Sequence, residues 1–250
     1  MPLTAAQIVT LACQTARCPA FTSQAGQLLN SILSDLCQTY DFDLAQGTFS
    51  FNFNPGLVTS PADFPNMAAG GGPYELPADY LRAKKDEVMW FLQGVPYPMI
   101  PVDLSEFDWQ VQQAGNQAYP FLWATDMSQT PPVAVVWPAP SGAYPVMVRY
   151  YRQMPDIDTP ETSSTVPWFP NDRYLLKQLS GMLMELTNDS RSQTFLGDGD
   201  PNNPGAQAIL RKYLELKDDN SDRAKRVTMD RRRFNRGNYS SLPDTKLVGW

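Results

Sequence analysis

Three groupings of residues in this chain have types and spacing that chemistry could use. Asp198, Asp200 and Asn202 put oxygen ligands at alternate positions, as the start of a calcium-binding EF-hand loop does. The pattern then fails. Its sixth position is Asn203 where Gly is needed, and its twelfth is Ile209 where a bidentate Glu belongs. A turn leading into a helix is the better reading. The acidic pairs Asp86 with Glu87 and Asp103 with Glu106 could flank a glycosidic bond as acid and base. Such pairs arise by chance in an acidic chain, and no motif around them marks a cleft. The run Ala68-Ala69-Gly70-Gly71-Gly72 could cradle a phosphate, but no Lys-Ser/Thr pair or helix start follows it. It reads as a flexible loop tip. The chain has no His, which removes the commonest general base, the usual partner of a Ser or Cys nucleophile and the commonest metal ligand. No catalytic residue, metal ion or cofactor is expected.

Binding chemistry is concentrated at the C-terminus. In DRRRFNRGNY, residues 230–239, Arg231, Arg232, Arg233 and Arg236 cluster with Phe234 and Tyr239, and Trp250 closes the chain. Residues 222–250 carry net +5 within a chain of net −6, so residues 1–221 carry net −11. An acidic body with a basic tail implies that the two parts meet different surfaces. A solvated disordered end and nonspecific phosphate contact are alternatives for this tail. Rings spaced among arginines favour a peptide that folds onto a partner, with the rings as anchors and Arg pairing carboxylates bidentately. A second aromatic and basic set, Phe49, Phe51, Phe53, Trp90, Arg149, Tyr150 and Tyr151, could stack nucleic-acid bases. Its period-two placement fits the packed face of a sheet better.

Composition bounds what positions these residues. At 250 residues and 42% apolar content the chain can bury a core without disulfide staples. Its 23 prolines point to short strands broken by turns. Three cysteines, with Cys13 and Cys37 inside apolar helical patterns, read as buried free thiols in a reducing compartment. The first sixteen residues show no charged leader and no run long enough for a signal peptide or membrane span, so a cytosolic protein or a particle assembled there is expected.

The stretch that organises the chain is DRYLLKQLSGMLMELTN, residues 172–188. Leu175, Leu176, Leu179, Met182, Leu183 and Leu186 lay one apolar stripe on a helix. Asn171 suits its N-cap, and Gly181 marks a close approach by another backbone. Its expected partners are two earlier helices. One runs from about Thr4 to Ala16 with Ile8, Leu11, Ala12 and Thr15 on one face, and Pro19 ends it. The other is capped by Thr22 or Ser23 and striped by Leu28, Leu29, Ile32, Leu33, Leu36 and Tyr40. A fourth helix, from about Pro204 to Lys217, offers Ile209, Leu210, Tyr213 and Leu214. Leu29, Leu33, Leu36, Leu176, Leu179 and Leu183 are the expected heart of this core.

Between the helix pairs the period changes to two. Phe49, Phe51 and Phe53 alternate with polar residues. A hairpin turns near Gly94, residues from Glu106 to Asn116 form a short polar helix or turn, and strands follow over 119–124, 132–137 and 146–151. One antiparallel sheet of five or six strands is expected. Residues 155–170 read as a linker back to the helices. The fold class is thus α+β, a four-helix core with an inserted antiparallel β-sheet domain and an extended C-terminal arm. The expected divisions are 1–46, 47–154, 155–221 and 222–250.

That order, together with YELPADYLRA at 74–83, PYPMIPVDLSEFD at 96–108, PAPSGAYPVMVRYYRQ at 138–153 and the NDRYLLKQL helix start, resembles the head-to-tail adaptor (connector) proteins of tailed bacteriophages over most of residues 3–236. The resemblance implies a structural virion protein at the head–tail junction, assembled in the host cytoplasm and not an enzyme. It implies a ring of copies, commonly twelve, beneath the portal protein, with double-stranded DNA passing through without sequence-specific binding and tail or nozzle proteins on the opposite side. It also implies an arm that reaches the portal, the role expected of Arg231, Arg232, Arg233, Phe234, Arg236, Tyr239 and Trp250. Another neck or tail ring protein, and more remotely a virion-associated cell-wall hydrolase, are the alternatives.

Overall fold

The computed structural model describes residues 2–57, 69–110, 117–197 and 205–219. Side chains at 85, 86, 110 and 216–219 also lie outside the description. The candidate arm, the Asp198–Asn203 acidic turn, Pro204 and the side chain of Asp86 therefore lie outside the described residues.

Two long helices begin the chain, α1 (Ala5–Thr15) and α2 (Thr22–Thr39). Thr4 and Gln7 form a reciprocal capping box at the start of α1. Its first two amides donate to the carbonyls of Thr165 and Ser163, so distant backbone satisfies groups that a helix start leaves unpaired. The buried face of α1 is Ala5, Ile8, Val9, Ala12 and Cys13, continued by Ala16. Leu11 and Thr15, expected inward, point to solvent. Small residues let a neighbouring helix come close, and that decided the face over the larger Leu. Arg17, at φ 58, ends α1 in a Schellman arrangement in which the Cys18 amide donates to the Cys13 carbonyl and Arg17 to Gln14. Neither Thr22 nor Ser23 caps α2; a 3₁₀ turn over Pro19–Phe21 runs straight into it. All three cysteines are free and buried, and burial raises the pKa of each thiol.

The later helices are α4 (Asp172–Leu186), α5 (Ser192–Leu196) and α6 (Gly205–Asp219). The Asn171 side chain accepts from the Tyr174 amide, capping α4 as its position suggests. Leu29, Leu33, Leu36, Leu179 and Leu183 are buried together in one cluster, with Leu176 partly buried at its rim. Gly181 receives α5: a Cβ there would stand 2.7 Å from the Leu196 side chain and 3.2 Å from its backbone nitrogen.

The segment expected as a plain linker is a strap. Asn30 on α2 brackets Ile157, donating to its carbonyl and accepting from its amide, both at 3.1 Å. Phe169 is buried at the strap's far end. Phe169 and Phe42 meet each other and Trp168 and Tyr213 in an aromatic knot that closes the bundle where α2 ends.

The inserted part comprises β1 (Gln46–Asn52), β2 (Tyr74–Glu75), β3 (Tyr80–Leu92), β4 (Val95–Pro98), β5 (Ile100–Pro101), α3 (Leu104–Gln110), β6 (Leu122–Asp126), β7 (Val133–Trp137) and β8 (Pro145–Arg152). These strands form two sheets rather than one, ordered β1-β8-β3-β4 and β2-β7-β6-β5, and the β5–β6 pair is parallel. The core holds four long helices as expected, but α3 and α5 bring the described helices to six. Phe53, Val88, Trp90, Val146 and Val148 from one sheet and Tyr74, Trp123, Ala134 and Val136 from the other share one buried cluster. The second sheet turns its other face, with Leu122, Ala124 and Val135, toward Phe107 of α3. Alternation identifies faces but not partners, so a sandwich and a single sheet look alike in sequence.

Gly70, Gly71 and Gly72 are buried, which overturns the flexible tip. The Gly71 carbonyl accepts from the Val136 amide at 2.7 Å, and the Tyr74 hydroxyl donates to the Gly70 carbonyl. Gly72 sits at φ 136, and a Cβ there would stand 2.8 Å from the Ala134 carbonyl oxygen. Glycine is needed because one backbone lies directly against another.

Candidate docking surfaces

One side chain makes most of the hydrogen bonds that join the helical and β parts. Helix α2 has no basic residue in its last turn, where its unpaired carbonyls gather negative potential. Arg82 of β3 supplies the missing charge. It donates to the carbonyls of Gln38 (3.1 Å), Tyr40 (3.2 Å) and Cys37 (3.4 Å) and, through Nε, to the Asp41 carboxylate at 2.9 Å. Its guanidinium carbon also lies 5.2 Å from the centre of the Tyr151 ring. Further along the seam Gln153 donates to the Ser34 hydroxyl, and within the β part the Tyr150 hydroxyl donates to Asp79.

The two edges of the first sheet are built differently. The β3–β4 hairpin turns through Gln93 and Gly94, both at positive φ (51° and 84°), the signature of a type I′ turn. In such a hairpin Leu92–Val95 and Trp90–Tyr97 are hydrogen-bonded pairs, so the backbones of Pro96 and Pro98 face outward. The Met99 amide donating to the Val88 carbonyl keeps that phase. Both outward positions are proline, so the β4 edge offers no donor there. At the other edge the Phe53 amide donates to the Tyr144 carbonyl. Alternation then turns the backbones of Thr48, Ser50 and Asn52 outward, and all three residues are exposed.

An uncharged aromatic surface covers the β4 side. Trp90 is buried, stacked on Tyr97 (4.8 Å) and Tyr119 (5.4 Å), and donates its indole N–H to the Pro120 carbonyl. Tyr97, Ile100, Tyr119 and Phe121 stay exposed. Trp109 on α3 is also exposed, but next to the exposed Asp108. No Asp, Glu, Lys or Arg occurs in 88–102 or 109–125. Exposed rings on an uncharged ground suit contact with another protein. Sequence reading missed this surface; the signal available was the absence of charge over two long stretches.

The acid–base candidates acquire structural roles. Glu87 lies between Lys84 (3.0 Å) and Arg149 (2.9 Å) at an irregularity in β3, and these cations hold its pKa below the usual carboxylate value. A general acid needs the opposite shift. Asp103 and Glu106 line a shallow groove with Tyr80, Arg82, Trp123 and Thr125. Of the rings offered as a base-stacking platform, Phe53, Trp90, Tyr150 and Tyr151 are buried, and Phe49 and Phe51 are half-buried beside them. The described residues contain no group of three or more Cys, Asp or Glu able to hold a metal ion. No described helix is long and apolar enough to cross a membrane.

A helical core interrupted by a β insertion is the order of elements that resembled a connector, and comparison with known families agrees. No curated protein matches the chain. The model of the SU10 adaptor protein family matches residues 3–238. That match spans both helix pairs, the whole β insertion and the first part of the basic segment. The chain belongs to the SU10 adaptor protein family and is a phage head–tail adaptor, a structural component of the virion.

Proposed function

We propose that this adaptor forms a ring, of twelve copies by family likeness, that joins the portal to the tail and surrounds the DNA path. The observation that carries the reading is the family match over residues 3–238, ending inside the basic segment. The helical core, residues 1–46 and 155–221, builds the ring wall, and residues 47–154 form an inserted domain directed to tail or nozzle proteins. Residues 222–250 act as the portal-docking arm. Arg231, Arg232, Arg233 and Arg236 pair portal carboxylates, while Phe234, Tyr239 and Trp250 serve as anchors. The uncharged aromatic end of the sandwich supports the tail-facing assignment, because a packed interface of this kind is depleted in charge.

The net −11 of residues 1–221 supports a channel role. An acidic wall repels phosphates, so double-stranded DNA slides through without sticking. Tight, salt-sensitive DNA binding by residues 1–221 alone would overturn that part. The decisive experiment recovers the tagged chain from assembling particles and measures the native mass of its complex. A ring with portal attached establishes the reading. A ring with tail proteins and no portal moves the protein further down the neck.

A further inference from the structure

The contrast between the two edges of the first sheet has a use. We propose that β1 is an acceptor edge and that the start of this chain's own C-terminal segment, residues 222–230, adds to it as a further strand.

Four observations point to this occupant. First, the edge is open: among the described residues the outward amides and carbonyls of Thr48, Ser50 and Asn52 have no partner, whereas prolines block the β4 edge. A long unprotected edge is a template for pairing, and this one runs seven residues with no Pro and no charge. Second, Phe49 and Phe51 lie on the inner face of that edge, stacked at 5.7 Å, and are only half-buried. An added strand brings side chains against both rings. Third, α6 passes close to the start of β1. The Tyr213 ring lies 6.2 Å from Phe42, and Asp43 contributes to raising the Tyr213 pKa; Asp43 begins the turn that leads into Gln46 of β1. Nine extended residues reach about 30 Å, enough to run the length of β1. Fourth, the segment has the right pattern. Val227 and Met229 alternate with Arg226, Thr228 and Asp230, and Arg223, Lys225 and Arg226 carry charge opposite to that of Asp41 and Asp43.

Pairing of this kind leaves residues 231–250 projecting from the body, and it holds whether or not they dock on a portal. The test is amide hydrogen exchange on the full chain. The proposal expects amides within 226–230, and those of Thr48, Ser50 and Asn52, to exchange at least tenfold slower than free-peptide rates, with no dependence on protein concentration. Ser50→Pro removes an outward amide that the β1–β8 ladder does not use. It should release the 226–230 amides to free-peptide rates while β8 amides stay protected. Removal of 231–250 should leave the protection intact, which separates this contact from portal docking. Free-peptide exchange of 222–230 in the unaltered chain overturns the proposal. So does β1 protection that survives removal of 220–250 and grows with concentration, because a second copy is then the occupant.

Discussion

Arg82 shows how much can hang on one residue. Its fork serves three carbonyls and one carboxylate at the end of a helix that lacks its own cation. Arg82→Ala is expected to lower the unfolding free energy by about 2 kcal/mol, read by urea denaturation. Arg82→Lys should recover less than half of that loss, because an ammonium cannot reproduce the planar fork. Gly72→Ala is expected to cost about 3 kcal/mol, since it combines a strained φ with a backbone clash at Ala134. Asp189 supplies a pH signature. Hydrogen bonds from Arg191 pull its pKa from 3.8 to about 2. A lowered carboxylate contributes stability that is present above its unfolded pKa and lost as pH falls through the folded one. In Tm measurements Asp189→Asn should therefore flatten the acid limb between pH 3.8 and about 2 and leave the shape above it unchanged. Some of these roles were legible in sequence and others were not. Asn171 could be read as a cap because its partner is three residues away. The partners of Arg82 lie more than forty residues back, so no local pattern reveals them.

Elements were legible where one period dominated. The α4 stripe as far as Leu183, the β1 alternation and the hairpin at Gly94 all follow from neighbouring residues, whereas Leu186, expected inward, is exposed where α4 ends. Pairing between strands did not follow, and the division into two sheets came only with the structure. The inward face of α1 was misjudged because a large side chain weighs more than Ala in a hydrophobicity count. In the bundle, close approach of helix backbones favours Ala5, Ala12 and Ala16. Gly181 tests the same balance. Replacing Gly by Ala inside a helix gains about 1 kcal/mol in propensity. Here the added methyl strikes Leu196, so Gly181→Ala should lower Tm despite that gain, with the first loss of exchange protection in α5.

At the scale of the molecule, charge divides the body from the C-terminal segment, and that division was readable from composition alone. Removal of 222–250 should leave a cooperatively folding body that no longer co-purifies with portal; retained binding sinks the assignment of the arm. Which surfaces of the body face neighbours was not readable, because apolar and uncharged residues serve cores and interfaces alike. The strap from 155 to 169 carries one more consequence, for the order of synthesis. It finishes the start of α1 with carbonyls at 163 and 165, and the stripe of α2 waits for α4. More than a hundred residues separate the end of α2 from the start of α4. At about 5–20 residues per second the ribosome needs on the order of ten seconds to supply them. Through that interval the first helix pair emerges with its apolar face uncovered while the sandwich folds ahead of it. Pulse-labelled nascent chains that end before 172 are therefore expected to co-purify with a holding chaperone, and chains that extend past α6 are expected not to.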